Sequence, residues 1–309
     1  MEKTSIKKAS ARERRRMRNF FLFISPWLIG FVVFSLAPML LSLVLSFTWG
    51  SKITTWTSVP LEFSFQNYTY IFTKDTVFLR SILNTFSYAF LRVIGGIIVA
   101  TALALLYNND LFGKRMYRTM AYATSVIPVS AATILWSLLL KGNNSLMQRM
   151  FVSMGIHNID LFTKNTALFT IIGLDIYVAA GATMIVVLAA LQNVPLDLEE
   201  AAIIDGAGRF KRFMHITVPM ISSGLMFISV TGFIGALQTY EQVKLLTGGG
   251  PEYATTTMTM TVISRYNATN GKLGLGYACA EAWIVFIIIM IFTMIYLKML
   301  NKKVYYGDE

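Results

Sequence analysis

Long apolar stretches alternate with short charged or turn-rich segments along the whole chain. They fall near Phe20–Phe47, Ile82–Tyr107, Tyr117–Leu140, Ala167–Leu191, Met220–Val243 and Leu275–Leu297. A helix needs about 20 apolar residues to cross a bilayer core, so each stretch suffices, and the longest crosses with tilt. The pattern predicts an all-α polytopic integral membrane protein with six transmembrane helices. Between the fourth and fifth stretches lies a polar island of another kind. From Pro195 it reads as a short helix, with Asp197, Glu199 and Glu200 in the opening turns, where acids complement the helix dipole. Gly206 and Gly208 break that helix, and Phe210, Phe213 and Thr217 then recur at helical spacing among Arg209, Lys211 and Arg212. A helix–turn–helix of moderate polarity is therefore predicted beside the membrane, where a mere connector would need none.

Composition agrees with the pattern. The 309 residues are 55% hydrophobic and 14% charged, too apolar for an ordinary soluble domain of this length. With both termini cytoplasmic, the inside segments 1–19, 108–116, 192–219 and 298–309 carry more Lys and Arg than the outside loops, although those loops are longer. Lys3, Lys7, Lys8, Arg12, Arg14, Arg15, Arg16 and Arg18 fix the first of these. The net charge of +11 is thus mostly topology. Residues 1–19 read as a basic cytoplasmic N-terminus, 20–301 as the transmembrane body and 302–309 as a cytoplasmic tail. Lipid headgroups, not nucleic acid, are the expected neighbours of the basic segment, which adjoins a span. The apolar run behind it is too long for a cleavable signal and lacks a small-residue cleavage site.

Several chemistries are excluded. The single cysteine, Cys279, allows no internal disulfide and falls in the sixth span as a small apolar residue. His157 and His215 stand alone in different loops, so no metal site is expected. No G-x-x-x-x-G-K-[ST] occurs, and Gly248, Gly249, Gly250 and Pro251 are followed by no lysine. The chain has no nucleophile constellation either. It reads as a non-enzyme whose driving energy comes from another chain.

Residue for residue, the polar island resembles the "EAA" loop in the membrane subunits of binding-protein-dependent ABC importers. Glu200, Ala201, Ala202, Asp205, Gly206, Ala207, Phe213, Ile216 and Pro219 match, with Val218 where leucine is commoner. In that family the loop, here about 193–219, is a cytoplasmic coupling helix that docks into a cleft of a separate ATPase. Further stretches carry the likeness: Phe23 to Pro26 and Pro38, Ser46 to Thr48, Asn84-Thr85, and Leu188 to Gln192. Leu246 to Pro251 with Thr255-Thr256, then Leu273 to Ala280, is similar to the maltose- and glycerol-3-phosphate-type permeases of carbohydrate importers. The resemblance implies a prokaryotic cell-membrane protein that acts by alternating access. It further implies a second, non-identical permease, two ATP-binding subunits and an extracytoplasmic solute-binding protein as partners, with carbohydrate as cargo. ATP and magnesium would be bound by the partner ATPases, with no cofactor in this chain. Glycerophosphate or polyol is the alternative cargo, and a secondary transporter the alternative class, which would leave the Glu200–Pro219 pattern unexplained.

Arg92, Asp175 and Glu281 lie inside predicted spans, where an ionisable group is costly unless it faces protein or water. At about 1.5 Å per residue they sit roughly 15, 12 and 9 Å below the outer ends of their spans, in one layer. Two readings stay open: Arg92 pairs with Asp175 or Glu281, or it faces the path and contacts an acidic oligosaccharide. Tyr177, Gln238, Tyr240 and Glu241 complete the candidate path, Tyr177 standing where many relatives have Trp and Glu241 where Asp is usual. The aromatic-rich residues 48–79 predict a folded hairpin. Residues 244–274, opened by Gly248, Gly249, Gly250 and Pro251, read as a dock for the binding protein or as a flexible return turn.

Overall fold

In a computed structural model the described residues are 11–49, 63–109, 112–142, 145–155, 160–267 and 274–300. Lys3, Lys7, Lys8, Trp56, His157 and the 302–309 tail lie outside them. The helices in chain order are α1 (Ala11–Phe31), a π-helical turn (Val32–Leu36), α2 (Ala37–Ser46), α3 (Gln66–Thr73), α4 (Thr76–Asn108), α5 (Lys114–Val126), α6 (Val129–Leu140), α7 (Leu146–Ser153) and α8 (Ala167–Gln192). There follow α9 (Leu196–Ile204), α10 (Arg209–Arg212), a second π-helical turn (Phe213–Thr217), α11 (Val218–Met220), α12 (Ser222–Leu237), α13 (Glu241–Leu246), α14 (Met258–Asn267) and α15 (Leu275–Leu300). Among the described residues the only β pairing is an isolated antiparallel bridge between Thr48 and Phe63.

Four helices are long and apolar enough to cross a membrane: Arg15–Ser46, Thr76–Asn108, Ala167–Gln192 and Leu275–Leu300. The third and fifth predicted spans are not continuous. α5 and α6 meet at 93°, and Arg209–Met220 meets α12 at 68°. The first break has a local cause: Pro128 removes an amide and pushes Ile127 out of the helical region, to φ −68° and ψ 130°. The second follows Pro219, whose missing amide weakens the ladder just before Ile221 turns to φ −87° and ψ 4°. The fifth stretch is interrupted again at Gln238–Tyr240, between α12 and α13, so an unbroken helix over Met220–Val243 does not form.

α4 and α8 share the most extensive interface, with α12 packed against both; α15 packs on α2, α14 and α12, and its Phe292 meets Phe86 and Phe90 of α4. One apolar core gathers Phe78, Tyr88, Val93, Ile171, Phe233 and Leu237, all buried; a second gathers Ala100, Ala104, Met184, Val187 and Ile221 nearer the α9 end. In lipid, burial gives little drive between helices, so close packing and interhelical hydrogen bonds must hold them. Gly181 supplies the first, because a Cβ there would run into the Ala121 carbonyl of α5. Ser125 supplies the second, donating to the Val178 carbonyl and accepting from the Ala182 amide, both at 2.9 Å. The last turn of α5 is therefore stitched to the middle of α8 just before the break at Pro128.

Opposite the α9 end, the described part of segment 48–79 is folded, but as helix α3 and the start of α4 with one isolated bridge between Thr48 and Phe63, in place of the predicted hairpin. The buried Asn67 side chain donates to the Ser46 and Thr48 carbonyls at 2.8 and 2.9 Å, and Phe47 packs against Phe65 and Tyr68.

Candidate functional site

Both breaks that face the bundle interior open onto one cavity of about 600 Å³. Ser125, Ile127 and Val129 from the break in the third span and Gln238 to Gln242 from the break in the fifth line it. Interrupted helices leave backbone groups without ladder partners, which membrane proteins tolerate where those groups face protein or a water-filled path. Five of the seven candidate path residues meet on this wall: Arg92, Asp175, Gln238, Tyr240 and Glu241. Tyr177 does not; it is about half exposed and packs edge-on against Trp136. Glu281 does not either. A second cavity of about 630 Å³ is walled mainly by apolar side chains of α12, α14 and α15 and carries no charge.

Asp175 is the hub of the polar wall. Its Oδ2 accepts from Arg92 Nε at 2.9 Å and from the Tyr88 hydroxyl at 2.7 Å, and its Oδ1 accepts from Gln242 Nε2 at 3.2 Å. Gln242 Oε1 in turn accepts from the Thr239 hydroxyl. Three elements, α4, α8 and the interrupted fifth span, thus converge on one carboxylate. Of the two open readings for Arg92 the structure shows the pairing: it bonds Asp175, not Glu281, while also lining the cavity. Sequence reasoning did not single out Tyr88, Gln242 or Thr239. The signal was the polar run Gln238-Thr239-Tyr240-Glu241-Gln242 inside an apolar stretch.

Glu281 belongs to a separate cluster opposite the α9 end. Arg265 of α14 donates through Nη2 to Asp75 Oδ2 at 2.9 Å, while its Nε stands 3.9 Å from Glu281 Oε1. The Tyr277 hydroxyl donates to the same Asp75 oxygen at 2.6 Å, and Asp75 Oδ1 caps α4 by accepting from the Phe78 amide. Burial works against the Asp75 carboxylate, but Tyr277, the Phe78 amide and Arg265 together outweigh it and hold its pKa below the ordinary value. Removing one partner of a buried pair costs about 3–5 kcal/mol. Because Glu281 already stands near Arg265, Asp75→Asn should cost less, roughly 2–3 kcal/mol, read as a lowered thermal midpoint of the solubilised protein. A depressed carboxylate stabilises fully above its unfolded pKa and loses that contribution as pH falls through the folded value. The gap between wild type and variant should therefore narrow as pH falls below the ordinary aspartate value.

The glycine-rich segment is a stapled loop, not a flexible return. The hydroxyls of Thr247 and Thr255 are 2.7 Å apart, Thr255 and Thr256 donate to the Gly250 and Gly249 carbonyls, and Gly248 and Gly249 have positive φ. Asn84 of α4 donates to the Tyr253 and Thr256 carbonyls, and Thr85 accepts from the Met258 amide at the start of α14. The Asn84-Thr85 pair is thus the clamp of the Gly248–Pro251 turn, which sequence alone left as two unrelated likenesses. Lys164 pairs with the exposed Glu252 beyond the turn at 2.6 Å.

At the other end, the polar island forms the predicted helix–turn–helix. Gly206 has φ +76°, the Ala207 amide reaches back to the Ala202 carbonyl, and the Gly206 amide reaches the Ile203 carbonyl. These two bonds define a Schellman cap, which needs a left-handed residue at Gly206 and a small apolar one after it. Glu200, Ala201 and Asp205 are exposed, while Ala202, Ala207, Phe213 and Ile216 are half-buried, and Pro219 lies in α11. Large apolar side chains are exposed among these charges: Leu196, Ile203, Phe210 and, most of all, Ile204 at 86%. Apolar surface rimmed by charge is the composition of an interaction surface, toward protein or membrane.

Comparison with known proteins follows the same geometry. The family model described as "Binding-protein-dependent transport system inner membrane component" matches residues 92–305. A protein of Bacillus subtilis described as a probable ABC transporter permease, YesP, is 33% identical, with 94% of this chain and 92% of that protein covered. The trehalose/maltose transport system permease protein MalF of Thermococcus litoralis is 29% identical, with 92% and 94% covered. Among solved structures, a chain of the bacterial alginate ABC transporter in complex with an alginate pentasaccharide-bound periplasmic protein superposes with a TM-score of 0.80. That match covers 96% of this chain and 99% of the other at 20% identity, a likeness of fold. With more than two-thirds of its length matched by the family model, and with the interrupted spans and exposed helix–turn–helix described above, the chain belongs to the binding-protein-dependent transport system inner membrane components.

Proposed function

We propose that the chain is the permease subunit of an ATP-driven carbohydrate importer and forms the translocation path together with a second, non-identical permease. The exposed α9 to α11 segment carries this reading. Its capped turn presents Ile203, Ile204 and Phe210 among Glu200, Arg209 and Lys211 on a rigid knob, a shape and chemistry suited to a cleft in an ATP-binding subunit. Basic segments put that end, and both termini, in the cytoplasm. The stapled Gly248–Pro251 loop then lies outside as the dock for a solute-binding protein. Between them the polar cavity sits where two spans are broken, the expected place for a site exposed to each side in turn. ATP and magnesium act on the partner subunits. Their closure would draw the coupling helices together, open the path to the docked binding protein and, after hydrolysis, release cargo inward. Relatives described as carrying trehalose or maltose, and a solved neighbour described with alginate, support carbohydrate as the cargo class.

Co-expression tests the assignment. With two ATPase subunits, a binding protein and the sister permease, the purified complex should show ATP hydrolysis stimulated by the loaded binding protein. Without the sister permease that stimulation should vanish, because half the path is missing. Stimulation of equal size from a homodimer of this chain would defeat the pairing, and transport without any ATPase would defeat the importer reading itself.

A further inference from the structure

The charge state of the cavity allows a step beyond the importer reading, on which it rests. Among the described residues Arg92 is the one cation on the cavity wall, and Asp175 and Glu241 are its acids. Arg92 is not a free counter-ion. Its Nε is bonded to Asp175 at 2.9 Å, and that carboxylate is itself locked in place by Tyr88 and Gln242. The guanidinium is also wedged against α12, where a Cβ on Gly232 would stand 3.3 Å from Nη1. An arginine so held cannot swing toward an incoming anion. Arg92 still lines the cavity and has N–H donors beyond its Nε bond, but with its charge offset by a fixed partner. Glu241, exposed in the first turn of α13, then leaves this half of the path with one net negative charge.

We propose that this half of the path selects cargo that is uncharged where it meets α4, α8 and α13, with Arg92 serving as a neutralised donor to sugar hydroxyls. Gln238, Thr239 and Tyr240 on the interrupted fifth span supply further hydroxyl-matching groups without charge. Anionic saccharides, whether uronate, phosphate or sulfonate, meet the exposed Glu241 on this wall and no available cation among its described residues. Asp175 and Glu241 are on this account the residues that set the selectivity.

The complete complex of this chain with its sister permease and ATPases, in nanodiscs with a non-hydrolysable ATP analogue, provides the test. Retention of tritiated maltotriose and of trigalacturonate, equal in length and opposite in charge character, is measured side by side. Maltotriose should be retained about tenfold better or more. Glu241→Gln should shift the ratio several-fold toward trigalacturonate, and Asp175→Asn should shift it further by freeing the arginine. Because Asp175 holds three elements together, the variant Glu241→Gln, which leaves that hub intact, suffices to decide. Equal or preferential retention of trigalacturonate by the wild type, or an unchanged ratio in Glu241→Gln, would overturn the charge assignment and leave the importer reading standing. Retention of neither sugar would also overturn the charge assignment, while the importer reading stands or falls separately on binding-protein-stimulated ATP hydrolysis by the same complex.

Discussion

Replacing Gly206 with valine is expected to cut binding-protein-stimulated ATP hydrolysis by tenfold or more while the protein still inserts and folds. Position 206 has φ +76°, a region where a β-branched residue is strained by about 1–2 kcal/mol. The strain falls on the two backbone bonds that close the cap, from Gly206 to Ile203 and from Ala207 to Ala202. Once the cap opens, α9 loses its angle to α10, and Ile204 and Phe210 no longer form one surface. The transmembrane packing is untouched, because no side chain lies within 4 Å of a Cβ at this position. Glu200→Lys should give a milder loss, since Glu200 is exposed and its substitution changes a charge at the dock without straining the turn. Co-purification with the ATPase measures both. Normal attachment together with normal stimulation in Gly206→Val would remove this turn from the coupling mechanism.

The same turn shows what the sequence makes legible. A cap is a local device, so the short helix, its break at Gly206 and the helix after it could be read from spacing, whereas the match of Glu200 to Pro219 rested on resemblance. The break at Pro128 was also within reach, since a proline in an apolar run pushes the preceding residue out of the helix. It was missed because hydropathy does not register a 93° bend: α5 and α6 together are as apolar as one span. The interruption at Gln238–Tyr240 has neither proline nor glycine and shows only as a polar run. Long-range pairing is a different matter. Arg92 and Asp175 are 83 residues apart, and no periodicity decides between Asp175 and Glu281 as the partner. Arg265, which the sequence pattern does not single out, becomes meaningful only when α14 folds back over Asp75 and Glu281. Likewise Asn84-Thr85 acquires a function only when α4 meets the glycine-rich loop 169 residues away.

Arg92→Gln is expected to lower the yield of folded complex sharply, and Asp175→Asn in the same chain to restore most of it. Asp175 is about nine-tenths buried and keeps the hydrogen bonds of Tyr88 and Gln242 after the arginine is gone, but it loses the one cation paired with it among the described residues. An uncompensated buried charge costs about 3–5 kcal/mol, a large share of the stability of any single chain. Neutralising the acid as well removes the penalty while leaving an amide to accept from Tyr88, so the two changes should couple by about 2 kcal/mol or more. The identity of the rescuing partner is the sharper part of the prediction. Glu281→Gln should give no rescue, because Glu281 faces Arg265 at 3.9 Å in a separate cluster and takes no part in the hub. Size-exclusion yield and thermal midpoint, neither of which depends on cargo, provide the readout. Full stability of Arg92→Gln, or rescue by Glu281→Gln in place of Asp175→Asn, would show that the arginine is not held by Asp175 in the working protein.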